Sequence, residues 1–175
     1  MNHIIEELNA VAALEWNKPQ KSFYIQRAKD ARPVQCVRMR DVFTSEQMAF
    51  IRGNYKTQQR MCYKNASTLV GLLAHPWAFL FDEPVKYVEG FAYSCGLLPI
   101  EHAFVKVGDR YIDPTFERAL KKDVRKEEYV SCIELDYDTM RKYQSETGYY
   151  GELYLYDYLL RHEPRQAESW RRLKR

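Results

Sequence analysis

The order of hydrophobic patterns along the chain predicts an α+β fold, in which N-terminal helices and C-terminal helices pack on a small antiparallel sheet. Apolar residues recur at helical spacing within residues 3–73 and again within 137–161, and short strand-like runs lie between these stretches. A Gly-Asp turn signal separates two of the runs, as in a tight hairpin. Because helices and strands occupy separate stretches of the chain, the sheet is expected to be antiparallel.

The N-terminal third predicts two helices. Residues 3–16 carry an apolar stripe at helical spacing and predict the first one. Residues 20–43 mix isolated apolar residues with many arginines, which predicts one or two short strands or extended loops. Thr44 and Gln47 have the spacing of a capping box, in which a hydroxyl and an amide satisfy exposed N–H groups at a helix start. A short helix is therefore predicted over residues 45–52.

The centre of the chain predicts one helix followed by three strands. Apolar residues in the helix follow the i, i+3, i+4, i+7 rule from Cys62 onward, at Ala66, Leu69, Val70 and Leu73. The strand-like runs cover residues 87–93, 101–107 and 110–113. Further helices are predicted at 137–142 and 150–161. Cys62 thus lies in the first turn of a helix with one buried side.

The composition is that of one folded domain spanning residues 1–175. The chain is 46% hydrophobic and 14% aromatic with a net charge of only +3, which excludes the disordered class. The N-terminus lacks the features of a secretory signal, and no apolar run approaches the ~18 to 20 residues that span a bilayer. We therefore expect a cytoplasmic protein without membrane association.

Basic residues are concentrated in residues 21–60 and again in 171–175. Clustered Lys and Arg can contact phosphates, but the sequence has no aromatic-and-basic RNA-binding signature and no zinc-finger spacing. A solvated face and a frayed tail explain the same charges. Nucleic acid is therefore not an expected partner, and the oligomeric state is left open.

The chain has four cysteines, Cys36, Cys62, Cys95 and Cys132, without any C-x-x-C pair. Scattered spacing argues against structural zinc, so no metal ligands are predicted, and the absence of a secretory signal favours reduced thiols. Cys62 differs from the others because a helix start lowers the pKa of a thiol through its unpaired N–H groups and the helix dipole. Cys95 is expected to be structural, and His75 to lie on a surface loop.

The hairpin register pairs a histidine with an aspartate. If Gly108 and Asp109 form the loop, counting back along both strands places Phe104 opposite Asp113. His102 shares a strand face with Phe104, so His102 and Asp113 become diagonal neighbours with Cβ atoms about 7 Å apart. Two interpretations of Asp113 stay open: it orients His102, or it caps a turn by binding nearby N–H groups.

Four segments in this order resemble the core of the transglutaminase-like proteins, relatives of papain: Cys62-Tyr63-Lys64-Asn65-Ala66, Tyr87-Val88-Glu89-Gly90-Phe91, His102-Ala103-Phe104-Val105 and Tyr111-Ile112-Asp113-Pro114-Thr115. The resemblance covers about residues 62–116. It implies a transglutaminase-like (papain-like) fold and a Cys62-His102-Asp113 triad of nucleophile, base and orienting group. It also implies a hydrolase or acyltransferase that acts on an amide or peptide bond through a thioester acyl-enzyme, without a metal or organic cofactor.

Two further residues are candidates for the site, Gln59 from the resemblance and Glu89 from its place in a strand expected near the site. The backbone N–H of Cys62 is the expected first donor to the oxyanion, and Gln59, in preference to Gln58, is a candidate for the second. Glu89 either contacts substrate or pairs with an arginine. The expected substrate is a protein, a peptide or an amide-bearing small molecule, with hydrolysis and transfer both open. The alternative is a protein- or ligand-binding module on the same fold without turnover.

Overall fold

The computed structural model describes residues 2–74, 80–93 and 98–172. The helices in these ranges are α1 His3–Ala13, α2 Lys18–Asp30, α3 Ser45–Asn54, α4 Cys62–Leu73, α5 Tyr137–Thr147, α6 Leu153–His162 and α7 Pro164–Arg172. The strands are β1 Arg32–Val34, β2 Val85–Tyr93, β3 Ile100–Val107, β4 Arg110–Ile112 and β5 Glu128–Leu135. Among these described helices, none combines the length and the apolar content needed to cross a membrane. His75, Cys95 and residues 173–175 lie outside the described residues.

The five strands form one antiparallel sheet in the order β1-β5-β2-β3-β4, so the predicted α+β class is confirmed. The segment that follows edge strand β1 pairs with β4, the strand at the opposite edge of the sheet. Cys36 bridges to Tyr111 in β4, and the Val37 N–H donates to the Tyr111 carbonyl at 2.8 Å. Because one short segment joins both edges, the sheet curls into a half-barrel.

Helix α4 packs its apolar side against one face of the sheet. Leu69 and Val70 of the helix share a core with Ala103 and Val105 of β3. The helix predicted from Cys62 is therefore confirmed, and its buried side is the predicted one. The alternate residues of the strands point to the other face, where Phe104 joins a second buried cluster. The N-terminus of α4 is thereby held beside β3.

The predicted hairpin between β3 and β4 is confirmed. Val105 pairs with Ile112 and Val107 with Arg110, which is the register that counting from a Gly108-Asp109 loop requires. Gly108 has φ of +55°, a left-handed conformation that a residue with a Cβ adopts at a cost. Strand β4 ends one residue before Asp113, which leaves that aspartate free to begin a turn.

The prediction for residues 20–43 is wrong in its first part, because residues 18–30 form helix α2. Asn17 caps the helix by accepting from the Gln20 N–H at 3.1 Å. No residue of α2 is buried, so the apolar periodicity that identifies a helix is weak there. Helix α2 packs against residues that are distant in the sequence. The centroids of the Phe23 ring and of the Tyr158 ring in α6 are 5.1 Å apart. The second part of the prediction is confirmed, because the later part of residues 20–43 contains the short strand β1.

Strand β5 lies between β1 and β2 and was not predicted. Tyr129, Val130 and Ser131 are buried in succession, so the strand lacks the alternation that marks a half-exposed strand. Its pairing partners are remote in sequence, with Ser131 opposite both Arg32 and Gly90. Helix α7 was also not predicted, whereas α5 and α6 lie at the predicted places.

Candidate active site

Cys62 is the first residue of α4, and the helix start leaves N–H groups available around it. Met61 provides no side-chain cap, and the first turn has no acidic side chain. Burial by itself would raise the pKa of the half-buried Cys62 thiol. Hydrogen bonds from His102 and from the N–H groups of Ala103 and Tyr63, together with the charge of His102, outweigh burial and lower that pKa below its ordinary value. The site favours a thiolate.

The other described cysteines have the opposite electrostatic environment. Burial raises the pKa of Cys36 well above its ordinary value. Burial also raises the pKa of Cys132, to about 12. Among these three thiols, therefore, the lowered pKa distinguishes Cys62.

His102 lies between the thiol and a carboxylate. Its Nε2 is 2.7 Å from Oδ2 of Asp113, and the ring also interacts with the Cys62 thiol, since each of these two groups shifts the pKa of the other. The ring of Phe116 packs on it with centroids 4.6 Å apart. Burial would lower the pKa of His102, but the negative charges and hydrogen bonds of Asp113 and Cys62 raise it to about 10. The lowered pKa of Cys62 and the raised pKa of His102 both favour the thiolate-imidazolium form of the pair.

Asp113 is fully buried, and its two carboxylate oxygens accept hydrogen bonds from different groups. Oδ2 accepts from His102 and, at 3.0 Å, from the Tyr129 hydroxyl. Oδ1 accepts from the N–H groups of Thr115 and Phe116, at 2.9 and 3.0 Å. Both interpretations left open by the sequence, a partner of His102 and a turn cap, therefore apply to one residue.

Tyr129 was missed because it belongs to the unpredicted strand β5. Its side chain is fully buried, and its hydroxyl is directed at Asp113. Burial and the nearby carboxylate raise the pKa of Tyr129 well above its ordinary range, so the hydroxyl remains a donor. A tyrosine in a hydrophobic run carries no sequence signal for this contact.

Asn65 is a second residue that sequence reasoning did not single out. Its buried amide donates to the Gln58 carbonyl at 2.7 Å and to Oγ1 of Thr115 at 3.0 Å, and its oxygen accepts from the Gln58 N–H at 3.0 Å. The side chain thus ties the loop before Cys62 to the turn after Asp113. The sequence feature that could have identified Asn65 is its position one helical turn beyond Cys62.

Gln59 does not reach the thiol. Its side chain is exposed, and its amide donates to the Ala119 carbonyl at 3.4 Å. Both Gln59 and Cys62 are described, and no hydrogen bond joins them. The groups that lower the pKa of the thiol are instead His102 and the backbone N–H groups of Ala103 and Tyr63.

Glu89 lies on β2 beside the candidate triad, with only 4% of its surface exposed. The Tyr87 hydroxyl donates to its Oε1 at 2.6 Å, and the Tyr154 N–H donates to its Oε2 at 2.9 Å. Burial raises the pKa of Glu89 to about 7, although these bonds act in the other direction. No ion pair joins Glu89 to an arginine in the described residues. Instead it caps the start of α6, whose own N-cap Glu152 makes no side-chain cap bond.

Gly90 pairs with His102, at a point where strands β2 and β5 approach closely. A Cβ on Gly90 would lie 1.8 Å from the Val130 carbonyl oxygen. The register between β2 and β5 shifts here, which is a bulge. Only glycine fits this position.

Two cavities flank Tyr63, the residue after Cys62. The first has a volume of about 230 Å³ and is lined by Phe23, Tyr24, Arg27, Tyr63, Glu89, Gly90, Glu101, Cys132, Glu152, Tyr154 and Leu155. The second, of about 510 Å³, is lined by Arg60, Met61, Tyr63, Lys64, Tyr149, Tyr150, Gly151 and Glu152. Space for a bound group therefore exists on both sides of Tyr63, and Cys62 itself lines neither cavity.

Within the described ranges, no group of three or more His, Cys, Asp or Glu side chains is arranged to hold a metal ion. Comparison of the chain with protein-family models, with curated proteins and with solved structures gives no match in any of the three. The functional assignment therefore depends on the geometry of the site.

Proposed function

We propose that this chain is a cysteine hydrolase or acyltransferase of the transglutaminase-like (papain-like) kind, acting on an amide or peptide bond. One observation carries the proposal: the buried ring of His102 is hydrogen-bonded to Asp113 and interacts with the thiol of Cys62, whose pKa it lowers. A nucleophile, a base and an orienting group in contact are what acyl transfer by a thiol requires.

The reaction follows from this arrangement. The Cys62 thiolate attacks the carbonyl carbon, a C–S bond forms, and the carbonyl electron pair moves to oxygen. N–H groups at the start of α4 stabilise that oxyanion. The intermediate collapses, the C–N bond breaks, and His102 delivers its proton to the leaving amine. Water or another amine, deprotonated by His102, then attacks the thioester and releases the Cys62 thiolate.

The topology supports the transglutaminase-like assignment. The candidate nucleophile begins a helix that packs on an antiparallel sheet, and the other two residues come from β3 and from the end of β4. That is the order and the setting which the resemblance of residues 62–116 implies. The turn after Asp113, held by Asn65 and Thr115, places the carboxylate next to the helix start.

The two cavities flank Tyr63, the chain neighbour of Cys62, and give room for the groups that an amide substrate carries. A protein segment, a peptide or a small amide fits such a cleft. Neither cavity distinguishes water from an amine as the final acceptor, so hydrolysis and transfer belong to the same proposal.

The test is the rate of alkylation of each cysteine by iodoacetamide at neutral pH, measured by peptide mass spectrometry. Cys62 is expected to react at least tenfold faster than Cys36 and Cys132, because its thiolate is stabilised and theirs are not. His102→Ala should remove most of this advantage, and Cys132→Ala should leave it unchanged. Equal rates at all three thiols in the folded protein would overturn the proposal.

A binding module without turnover is the second candidate, favoured by three exposed apolar side chains that line the larger cavity, Met61, Tyr149 and Tyr150. It predicts a ligand complex whose affinity is the same in Cys62→Ala. Covalent labelling of Cys62 by an acyl donor, followed by release of the acyl group to water or an amine, would exclude it.

A further inference from the structure

The larger of the two cavities that flank Tyr63 has a distinct chemical character, and we call it the aromatic groove. Its walls are residues 60–64 on the helix side, apart from Cys62, and residues 149–152 on the other side. Met61 and Tyr63 are the chain neighbours of Cys62, so the groove borders the segment in which α4 begins. A group bound there lies beside the first turn of α4.

Exposed apolar side chains are concentrated in this groove. Met61 is 40% exposed, Tyr149 58% and Tyr150 50%, whereas most large apolar residues of the described chain are buried. A cluster of this kind is unfavourable in water and favourable once an apolar group covers it. Tyrosine and methionine side chains suit a ring in particular.

The far wall of the groove is held in place by buried contacts. The backbone at Gly151 lies against the ring of Tyr63, since a Cβ there would be 2.3 Å from that ring. The Tyr87 hydroxyl lies 3.1 Å from the Tyr150 carbonyl oxygen, and Glu89 accepts from the Tyr154 N–H. The groove is therefore preformed, which lowers the entropic cost of binding.

The rim of the groove carries two cations, Arg60 and Lys64. Both side chains are exposed, and neither has an ion-pair partner in the described part of the chain. Glu152 is the one carboxylate that lines the groove, and it also lines the smaller cavity. The positive end of α4 adds to the cationic character. An anionic group at the rim would be stabilised.

The two cavities border different parts of the reaction centre. Gly90 and Glu101, which line the smaller cavity, are the pairing partner and the chain neighbour of His102. Since His102 delivers the proton to the leaving amine, the amine side of the substrate belongs there. The acyl side then belongs on the opposite side of Tyr63, in the aromatic groove.

We propose that the aromatic groove binds the acyl part of the substrate, and that this part is an aromatic group with a carboxylate near it. The assignment of an acyl side depends on the proposed function. The aromatic part is recognised by Met61, Tyr149 and Tyr150, and the carboxylate by Arg60 and Lys64.

The experiment compares p-nitrophenyl esters that share a leaving group and differ in the acyl group: acetyl, 3-phenylpropanoyl and 3-(4-carboxyphenyl)propanoyl. Single-turnover release of p-nitrophenolate gives the acylation rate, and mass spectrometry locates the acyl group on Cys62. Each rate is divided by that of N-acetylcysteine with the same ester. The corrected rate should rise about tenfold from acetyl to 3-phenylpropanoyl, as expected for covering one ring. The carboxylate should add a further increase at low salt.

The variants separate the two kinds of recognition. Tyr150→Ala should reduce the aromatic preference several-fold, and Lys64→Ala should reduce only the effect of the carboxylate. Leu14→Ala, which removes a comparably exposed side chain on the C-cap of α1, should change neither. Equal corrected rates for the three esters in the unmodified protein would overturn the inference while leaving the proposed function intact.

A second measurement does not depend on reaction. In Cys62→Ala, titration with 3-(4-carboxyphenyl)propanoate should shift the NMR signals of Tyr149, Tyr150 and Met61, and Tyr150→Ala should weaken the binding. Absence of these shifts at millimolar ligand would overturn the inference even if Cys62 were unreactive. Failure of Cys62 to react with any ester or with iodoacetamide would count against the proposed function alone.

Discussion

Nε2 of His102 lies 2.7 Å from Oδ2 of Asp113, and the two side chains are 2% and 0% exposed. Eleven residues separate them in the chain, and the β3-β4 hairpin brings them to one face of the sheet. Buried charges are screened little by solvent, so each residue depends strongly on the other for its protonation state.

Asp113→Asn is expected to lower the pKa of His102 below its present value of about 10, because the carboxylate charge raises it. NMR titration of the His102 ring measures this change. The folded state should also lose about 1 to 3 kcal/mol, since an amide nitrogen cannot accept from His102 or Tyr129. Asp138→Asn, at an exposed position on α5, is the control and should alter neither quantity. An unchanged His102 titration would contradict the expectation.

The alkylation rate of Cys62 should stay high as the pH falls below the ordinary pKa of a thiol, because its own pKa is lowered. In His102→Ala the pH at which the alkylation rate is half its maximum should move upward, since the interactions with His102 that stabilise the thiolate are lost. Acyl transfer to an amide substrate has an additional limit: it should decline as the pH rises through about 10, where His102 loses the proton needed by the leaving group. Identical midpoints for the two proteins would contradict the coupling.

Glu89→Gln tests the buried carboxyl group beside the site. Its pKa is about 7 when folded and 4.5 as an ordinary glutamate, so its stabilising contribution is complete below 4.5 and is lost as the pH rises to 7. Between these values the free energy of unfolding should fall by roughly 3 kcal/mol more in the unmodified protein than in the variant. Urea unfolding at several pH values measures it. Glu7→Gln, at an exposed carboxylate on α1, should retain the full pH dependence.

Gly90→Ala should destabilise the protein severely, by about 3 kcal/mol or more, because the added methyl group would collide with the Val130 carbonyl. Gly53→Ala is the matched control. A Cβ at Gly53 meets nothing within 4 Å, and the residue is in helix α3, where alanine is preferred over glycine by ~0.5 to 1 kcal/mol. Thermal unfolding compares the two variants. Equal melting temperatures would be inconsistent with the bulge at Gly90.

Asn65→Ala should slow the alkylation of Cys62 and lower stability by about 2 to 4 kcal/mol, because three hydrogen bonds of a buried amide are lost. The reactivity loss is the informative part, since it reports the position of the loop before Cys62. Asn54→Ala, which removes one exposed amide bond to the Phe50 carbonyl, is the control. Normal Cys62 reactivity in a folded Asn65→Ala variant would show that this anchor does not position the thiol.

Local patterns were sufficient to predict α4, the β3-β4 hairpin and its register. In each case the signal lies within about 12 consecutive residues: a helical apolar stripe after Cys62, and a Gly-Asp loop between two alternating runs. The proximity of His102 and Asp113 followed from the register, because the side-chain period of a strand is 2. The position of Cys62 relative to them came only from the order of the four family-like segments.

The sequence by itself determined the α+β class, the helix that begins at Cys62 and the common strand face of His102 and Asp113, because these features depend on contacts between near neighbours in the chain. Only the tertiary structure decided that β5 lies between β1 and β2, that Tyr129 and Asn65 secure Asp113 and the loop before Cys62, and that Glu89 caps α6. The hydrogen bonds among them join residues up to 65 positions apart, and the pairing of β1 with β5 joins Arg32 to Ser131. Packing of the whole chain selects such partners, and no local periodicity encodes them.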